Sequence, residues 1–109
     1  MTQEEKQLLL KDLCARLPYK VNIQVKDWTV LEAELKIGHI DRLQHDEIEL
    51  KPYLRSMSSM TDEEKKEYFD VASVSNHCAA VDWLNSHHFD YRGLIPIGLA
   101  LEAPKDMYV

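Results

Sequence analysis

The hydrophobic period of the chain changes several times, and those changes divide it into elements. Leu9, Leu13 and Leu17, with Leu10 and Cys14 beside them, repeat at the spacing of one helical face. Thr2 and Glu5 stand three residues apart ahead of this stripe. That is the spacing of a capping box, in which each side chain bonds the other residue's orphan backbone N–H. A helix is therefore predicted from about Gln3, ended by Pro18. From Lys20 the period drops to two: Val21, Ile23 and Val25 alternate with Asn22, Gln24 and Lys26, the pattern of a half-buried strand. Leu31, Ala33, Leu35 and Ile37 alternate in turn with Glu32, Glu34 and Lys36. A tight connection at Lys26-Asp27-Trp28 folds the two strands into a hairpin. Gly38 reads as a bulge or sharp bend, and a short strand over Ile48 to Leu50 follows a polar turn at His45-Asp46. Pro52 is expected to close that strand or to place it at a sheet edge.

The second half is read the same way. Thr61 and Glu64 repeat the capping-box spacing, and Asp62 and Glu63 sit where the helix dipole favours negative charge. A helix is predicted from Asp62 to Ala72, largely wet, because only Tyr68, Phe69 and Ala72 are apolar on it. Asn76 caps a third helix over Cys78 to His87, with Val81 and Leu84 on its stripe and Ala80 and Trp83 adjoining. Asp90 caps a short turn that starts near Tyr91 and ends at Gly98, a left-handed terminator. A closing strand over Leu99 to Ala103 then stops at Pro104.

No repeat or linker separates these pieces, so residues 1–109 are read as one α+β domain. Residues 1–60 supply an N-terminal helix and a small curved antiparallel sheet or barrel of the SH3-like or Sm-like kind. Residues 61–109 supply the C-terminal helices and the final strand.

Composition narrows the function classes. With 45% apolar and 29% charged residues the chain has a globular balance, not the signature of disorder. Its 13 basic residues are interleaved with 19 acidic ones, and the net charge of -6 argues against general affinity for phosphate backbones. The polar start lacks the basic-then-apolar pattern of a signal peptide, and no stretch approaches the ~20 apolar residues of a spanning helix. A cytoplasmic location without a membrane partner is expected. Cys14 and Cys78 suggest no disulfide framework and are read as thiols in or near the core.

The candidate chemistry gathers in one run. Trp83, His87, His88, Asp90, Tyr91 and Arg92 place aromatic, imidazole, carboxylate and guanidinium groups at the end of a helix, a mixture suited to a recognition patch. The same residues have structural uses: the histidines complement a helix C-terminus, Asp90 caps the next turn, and Trp83 and Phe89 fill the core. A metal site drawn from His77, Cys78, Asp82, His87, His88 and Asp90 lacks the paired spacings of zinc ligands. For catalysis, Cys78 beside His77 and Ser86 beside His87 are only neighbours in sequence, which do not face each other on a helix. The lone glycines at 38, 93 and 98 form no phosphate loop. Neither a metal nor a cofactor is assigned, and no residue is assigned a catalytic role. Met57 and Met60 are read as core packing.

Three blocks carry a family resemblance: residues Leu8 to Tyr19, Leu50 to Thr61, and Asp82 to Ile95 continuing into Gly98-Leu99-Ala100, together about half the chain. The sequence there resembles a family of small uncharacterised bacterial proteins, mainly of gut bacteria and associated with phage or other mobile DNA. Beside that family, the segment from Asp70 to Ala80 is short. The resemblance implies a bacterial or mobile-element setting and carries over no activity, cofactor or catalytic residue. The expected function is a non-enzymatic protein-binding or scaffolding module that contacts another protein or a second copy of itself. Two alternatives stand beside it: a small hydrolase or metal-dependent enzyme using His87, His88 and Asp90, and nucleic-acid binding through an SH3-like barrel.

Overall fold

A computed structural model describes residues 1–26, 29–74 and 77–108. The first helix, α1 (Gln3–Arg16), begins with the expected box: Thr2 N–H donates to Glu5 Oε1 at 2.8 Å, and Glu5 N–H to Thr2 Oγ1 at 3.1 Å. A 3-10 turn at Leu17–Tyr19 holds Pro18 and ends it. Strands β1 (Asn22–Lys26) and β2 (Val30–Glu34) pair antiparallel, with Ile23 opposite Ala33 and Gln24 opposite Glu32. Asp27 and Trp28 of the expected connection lie outside the described residues.

The structure then departs from the expected second strand. Leu35 is buried and its N–H bonds Val21 O, which prolongs the hairpin, but Ile37 begins a helix, α2 (Ile37–Gln44). Gly38 is therefore a helical residue rather than a bulge. The helix forms because Ile40 and Leu43 pack on the main core while the Lys36 N–H is received by His39 Nδ1 at 3.0 Å. Strand β3 (Glu49–Leu54) is longer than expected, and Pro52 lies inside it, buried. Pro52 is the last rung opposite β1, at Ile23, and stands one residue before the first rung with the closing strand, at Tyr53 opposite Leu101. A residue without an N–H is tolerated at that hand-over.

After a 3-10 turn at Met57–Ser59 come α3 (Asp62–Val74) and α4 (His77–Ser86); Asn76, the expected cap of α4, lies outside the described residues. The box at Thr61 and Glu64 forms as read, at 3.0 and 3.2 Å. The closing strand shrinks to β4 (Leu101–Glu102) and pairs parallel to β3, so the four-stranded sheet has the order β2-β1-β3-β4 and is mixed, not wholly antiparallel. Among the described residues its outer strands, β2 and β4, are not paired with each other.

Two cores result. The larger packs Leu9 and Leu13 of α1, and Leu43 of α2, against Ile23, Val25, Leu50 and Leu54, with Leu94 and Leu99 from the last turn. The smaller packs Met60, Trp83, Leu84 and Phe89, with Tyr68 and Val71 against them. Met60 fills core as expected, whereas Met57 is exposed. Both cysteines are exposed, contrary to the core reading. Cys14 misses the core because the buried face of α1 runs through Leu9, Asp12, Leu13 and Arg16, which rotates it outward. No helix of the described residues is long and apolar enough to cross a membrane.

Candidate functional site

The run from Trp83 to Arg92 begins on the last turns of α4 and leaves it through a Schellman motif. Phe89 N–H bonds Leu84 O at 3.0 Å and His88 N–H bonds Asn85 O at 3.1 Å, with His88 in the left-handed region at φ 64°. Glycine usually occupies such a position, because a side chain there is strained. The chain then forms a parallel bridge between Phe89 and Arg55, with Arg55 N–H on His88 O at 2.7 Å and Asp90 N–H on Arg55 O at 2.8 Å.

Each candidate side chain has a definite place. Trp83 is buried between Phe89 and the His87 ring, which stacks at 4.0 Å between centroids, and its Nε1–H donates to Glu67 at 3.0 Å. His87 Nδ1 lies 2.9 Å from Trp83 O and 3.1 Å from Ser86 Oγ. His88 instead stacks on Tyr108, centroids 3.8 Å apart. Burial, with Arg16, His87 and Arg55 nearby, holds its imidazole down at about 4, so it is neutral at pH 7. The Asp90 carboxylate accepts Leu94 N–H and Ile95 N–H, at 2.8 and 2.9 Å, which is the expected cap. Tyr91 donates to Asn85 Oδ1 and lies under the guanidinium of Arg92, which itself reaches Asp12 at 2.8 Å.

His87 and His88 thus leave the helix on different aromatic partners, and both carboxylate oxygens of Asp90 are taken up by backbone. Ser86 and His87 do meet, contrary to the expectation that sequence neighbours on a helix face apart, but the Ser86 hydroxyl donates to Trp83 O at 2.8 Å and His87 Nδ1 faces the same carbonyl, so that nitrogen is a donor and not a base toward the hydroxyl. Among the described residues no group of three or more His, Cys, Asp and Glu is placed to hold a metal ion. Comparisons with protein-family models, with curated proteins and with solved structures find no match.

The geometry of the site brings in residues that the pattern of the sequence does not single out. Arg16 and Asp12 are both fully buried on α1 and pair at 2.8 Å; Arg16 also donates to Phe89 O at 2.6 Å, which ties α1 to the end of the run. Their i,i+4 spacing is the only trace they leave in the sequence. Arg55 makes a two-pronged pair with Glu64, both contacts 2.7 Å, and lies over the Phe89 ring at 4.2 Å. The Arg55 guanidinium is the main reason the Glu64 carboxyl is lowered to about 2. Tyr108 accepts Asn22 N–H and donates to Tyr53 O at 2.6 Å, and burial raises its phenol to about 12. Around these groups opens a cleft of about 400 Å³, lined by both histidines, Lys20, Asn22, Arg55 and Tyr108. A second cleft, of about 450 Å³, shares Arg55, Glu64 and Tyr108 and extends to Glu102 and Lys105.

Proposed function

We propose that this chain is a non-enzymatic protein-binding module that takes up an extended segment of another protein along β2. On the resemblance of its three sequence blocks, its setting is a bacterial cell or a mobile element. The observation that supports the reading is the state of β2: an edge strand whose Val30 and Leu31 are 57% and 60% exposed. An edge of this kind offers unpaired backbone groups to an incoming strand, and apolar side chains beside it add contact area. The opposite edge is the two-residue β4, too short for the same use.

Charge selects the occupant. Val30, Glu32 and Glu34 share one face of β2, opposite Lys26, Gln24 and Asn22 of β1. In a two-fold pairing of β2 with a second copy centred on Glu32, that carboxylate faces itself, an unfavourable contact. A different protein with Lys or Arg at alternate positions meets no such penalty. Nucleic acid fits less well, because the same sheet face carries Glu32, Glu34 and Glu49 beside Lys26 and Lys51.

The test is selection of extended peptides from a random display library against the whole chain, followed by amide mapping. Selected binders are expected to be basic, to perturb Val30 to Glu34, and to lose binding to Leu31→Lys, a substitution at an exposed position. Binders that map elsewhere, or that tolerate Leu31→Lys, would remove the proposal.

A further inference from the structure

We propose that the cleft lined by Lys20, Asn22, His87 and His88 is a binding site for a small oxyanion, a phosphate or a carboxylate group. The four side chains come from three places in the fold: Lys20 follows the turn after α1, Asn22 opens β1, and the histidines end α4. Their donors are a primary ammonium, an amide and the His88 imidazole, a set that matches oxygens carrying negative charge.

Of the two imidazoles, His88 suits this use as a neutral ring. His87 Nδ1 is next to the Trp83 carbonyl, which can only accept, so that nitrogen carries the proton and the neutral ring leaves Nε2 as an acceptor, with no N–H for an anion. His88 Nδ1 is buried with no partner, and an N–H there would forfeit a hydrogen bond outright. The proton of neutral His88 therefore sits on Nε2. Among the described residues, only Arg16 Nη1 and His88 Nδ1 are buried side-chain atoms without partners, so His88 Nε2, which has no protein partner, faces solvent in the cleft.

Charge favours an anion here despite the net charge of -6. The Asp12 carboxylate is shared by Arg16 and Arg92, which leaves that cluster one positive charge in excess. Glu64, the acidic group in the cleft wall, is neutralised by both prongs of Arg55. Lys20 adds its ammonium at the rim. A cation would meet this excess as repulsion, although imidazoles alone would suit a metal.

The experiment follows the side-chain nitrogens of His87 and His88 in the whole, isotope-labelled chain during titration with sodium phosphate, sodium acetate and, at matched ionic strength, sodium chloride. Saturable shifts with phosphate, acetate or both, absent in chloride, are expected. Phosphate alone would assign a phosphate ester, and acetate alone a carboxylate. Lys20→Gln is expected to weaken binding about tenfold, the loss of one charge-assisted contact. Leu31→Lys should leave it unchanged, since Leu31 lies opposite Val25, away from Asn22 at the other end of β1. Shifts that rise linearly and equally in chloride overturn the proposal. So does saturable binding that neither Lys20→Gln nor His88→Asn alters.

Discussion

Between the sheet and α1 the core is aliphatic and closed, with Leu13, Ile23, Leu54 and Leu94 at 0% exposure. Between α3 and α4 it is aromatic and open at the rim, where Trp83 donates to Glu67 and Tyr68 is only half-buried. The first can rest on burial alone, on the order of 1.5–3 kcal/mol for each fully buried aliphatic side chain. The second buries four residues, too few to order two helices by themselves. It is held to the first by polar joints: Arg16 on Phe89 O, Arg92 on Asp12, and the Arg55 backbone bridged to His88 and Asp90. The candidate run at Trp83 to Arg92 is therefore the joint between two cores. Its chemistry is spent mainly on that joint, and what remains free is the cleft side of the two imidazoles.

The link between the two cores weakens most if it loses its anion. In Asp12→Ala two guanidiniums, one of them fully buried, lose their carboxylate, and the expected loss is about 3–5 kcal/mol in urea unfolding. Removing both charges, as in Asp12→Leu with Arg16→Met, should cost less, since no fully buried charge is left unpaired, while the part-exposed Arg92 and Phe89 O each lose one partner. If the single substitution is the milder of the two, the joint does not hold the halves together.

Much of this architecture is legible in the sequence, and the failures have physical causes. The two capping boxes, the β1–β2 hairpin, the Asp90 cap and the terminator at Gly98, φ 81°, follow from local spacing and need no tertiary knowledge. Ile37 to Gln44 misleads, because the alternation of β2 continues through Ile37 and eight residues offer barely two turns of helical period. The run Trp83 to Arg92 stands out for its composition, yet the groups that complete its surroundings, Arg16, Arg55, Glu64 and Tyr108, lie far away in the chain. Burial of a charged pair on α1 contradicts the apolar stripe that Leu9, Leu13 and Leu17 suggest, and only contact with Phe89 O and Arg92 explains it.

Acid should loosen the joint between the two cores. His88 is held at about 4, below the ordinary 6.5 of histidine, so the unfolded chain takes up a proton before the folded one. Its contribution is present above pH 6.5 and is lost as pH falls from there toward 4. Glu64, held at about 2, adds a second loss as pH falls from about 4.5 toward 2. The effect is smaller than that of Asp12→Ala, because both groups are partly exposed and screened. Urea midpoints measured from pH 8 to 3 should decline in these two windows. His88→Asn, which tolerates the left-handed backbone, should flatten the upper one. A midpoint that is level between pH 6.5 and 4 would contradict the buried neutral ring.

The two capping boxes give the finest test, because nearly the same chemistry is placed on each core. Thr2 and Thr61 make boxes of matching geometry, at 2.8 and 3.1 Å and at 3.0 and 3.2 Å. An N-cap replaced by alanine typically costs about 1 kcal/mol. Thr2→Ala frees the exposed end of a helix whose later turns are anchored by Leu9 and Leu13, so the fraying should stay local and global stability should fall by less than this. Thr61→Ala also frees Glu64, which at the same time grips Arg55, on a helix that among the described residues packs Tyr68 and Val71 on the smaller core. Hydrogen exchange should therefore show the whole of α3 losing protection, against only the first turn of α1. Equal, local effects at both ends would mean that the aromatic core is as cooperative as the aliphatic one, and that the polar joints are not what orders it.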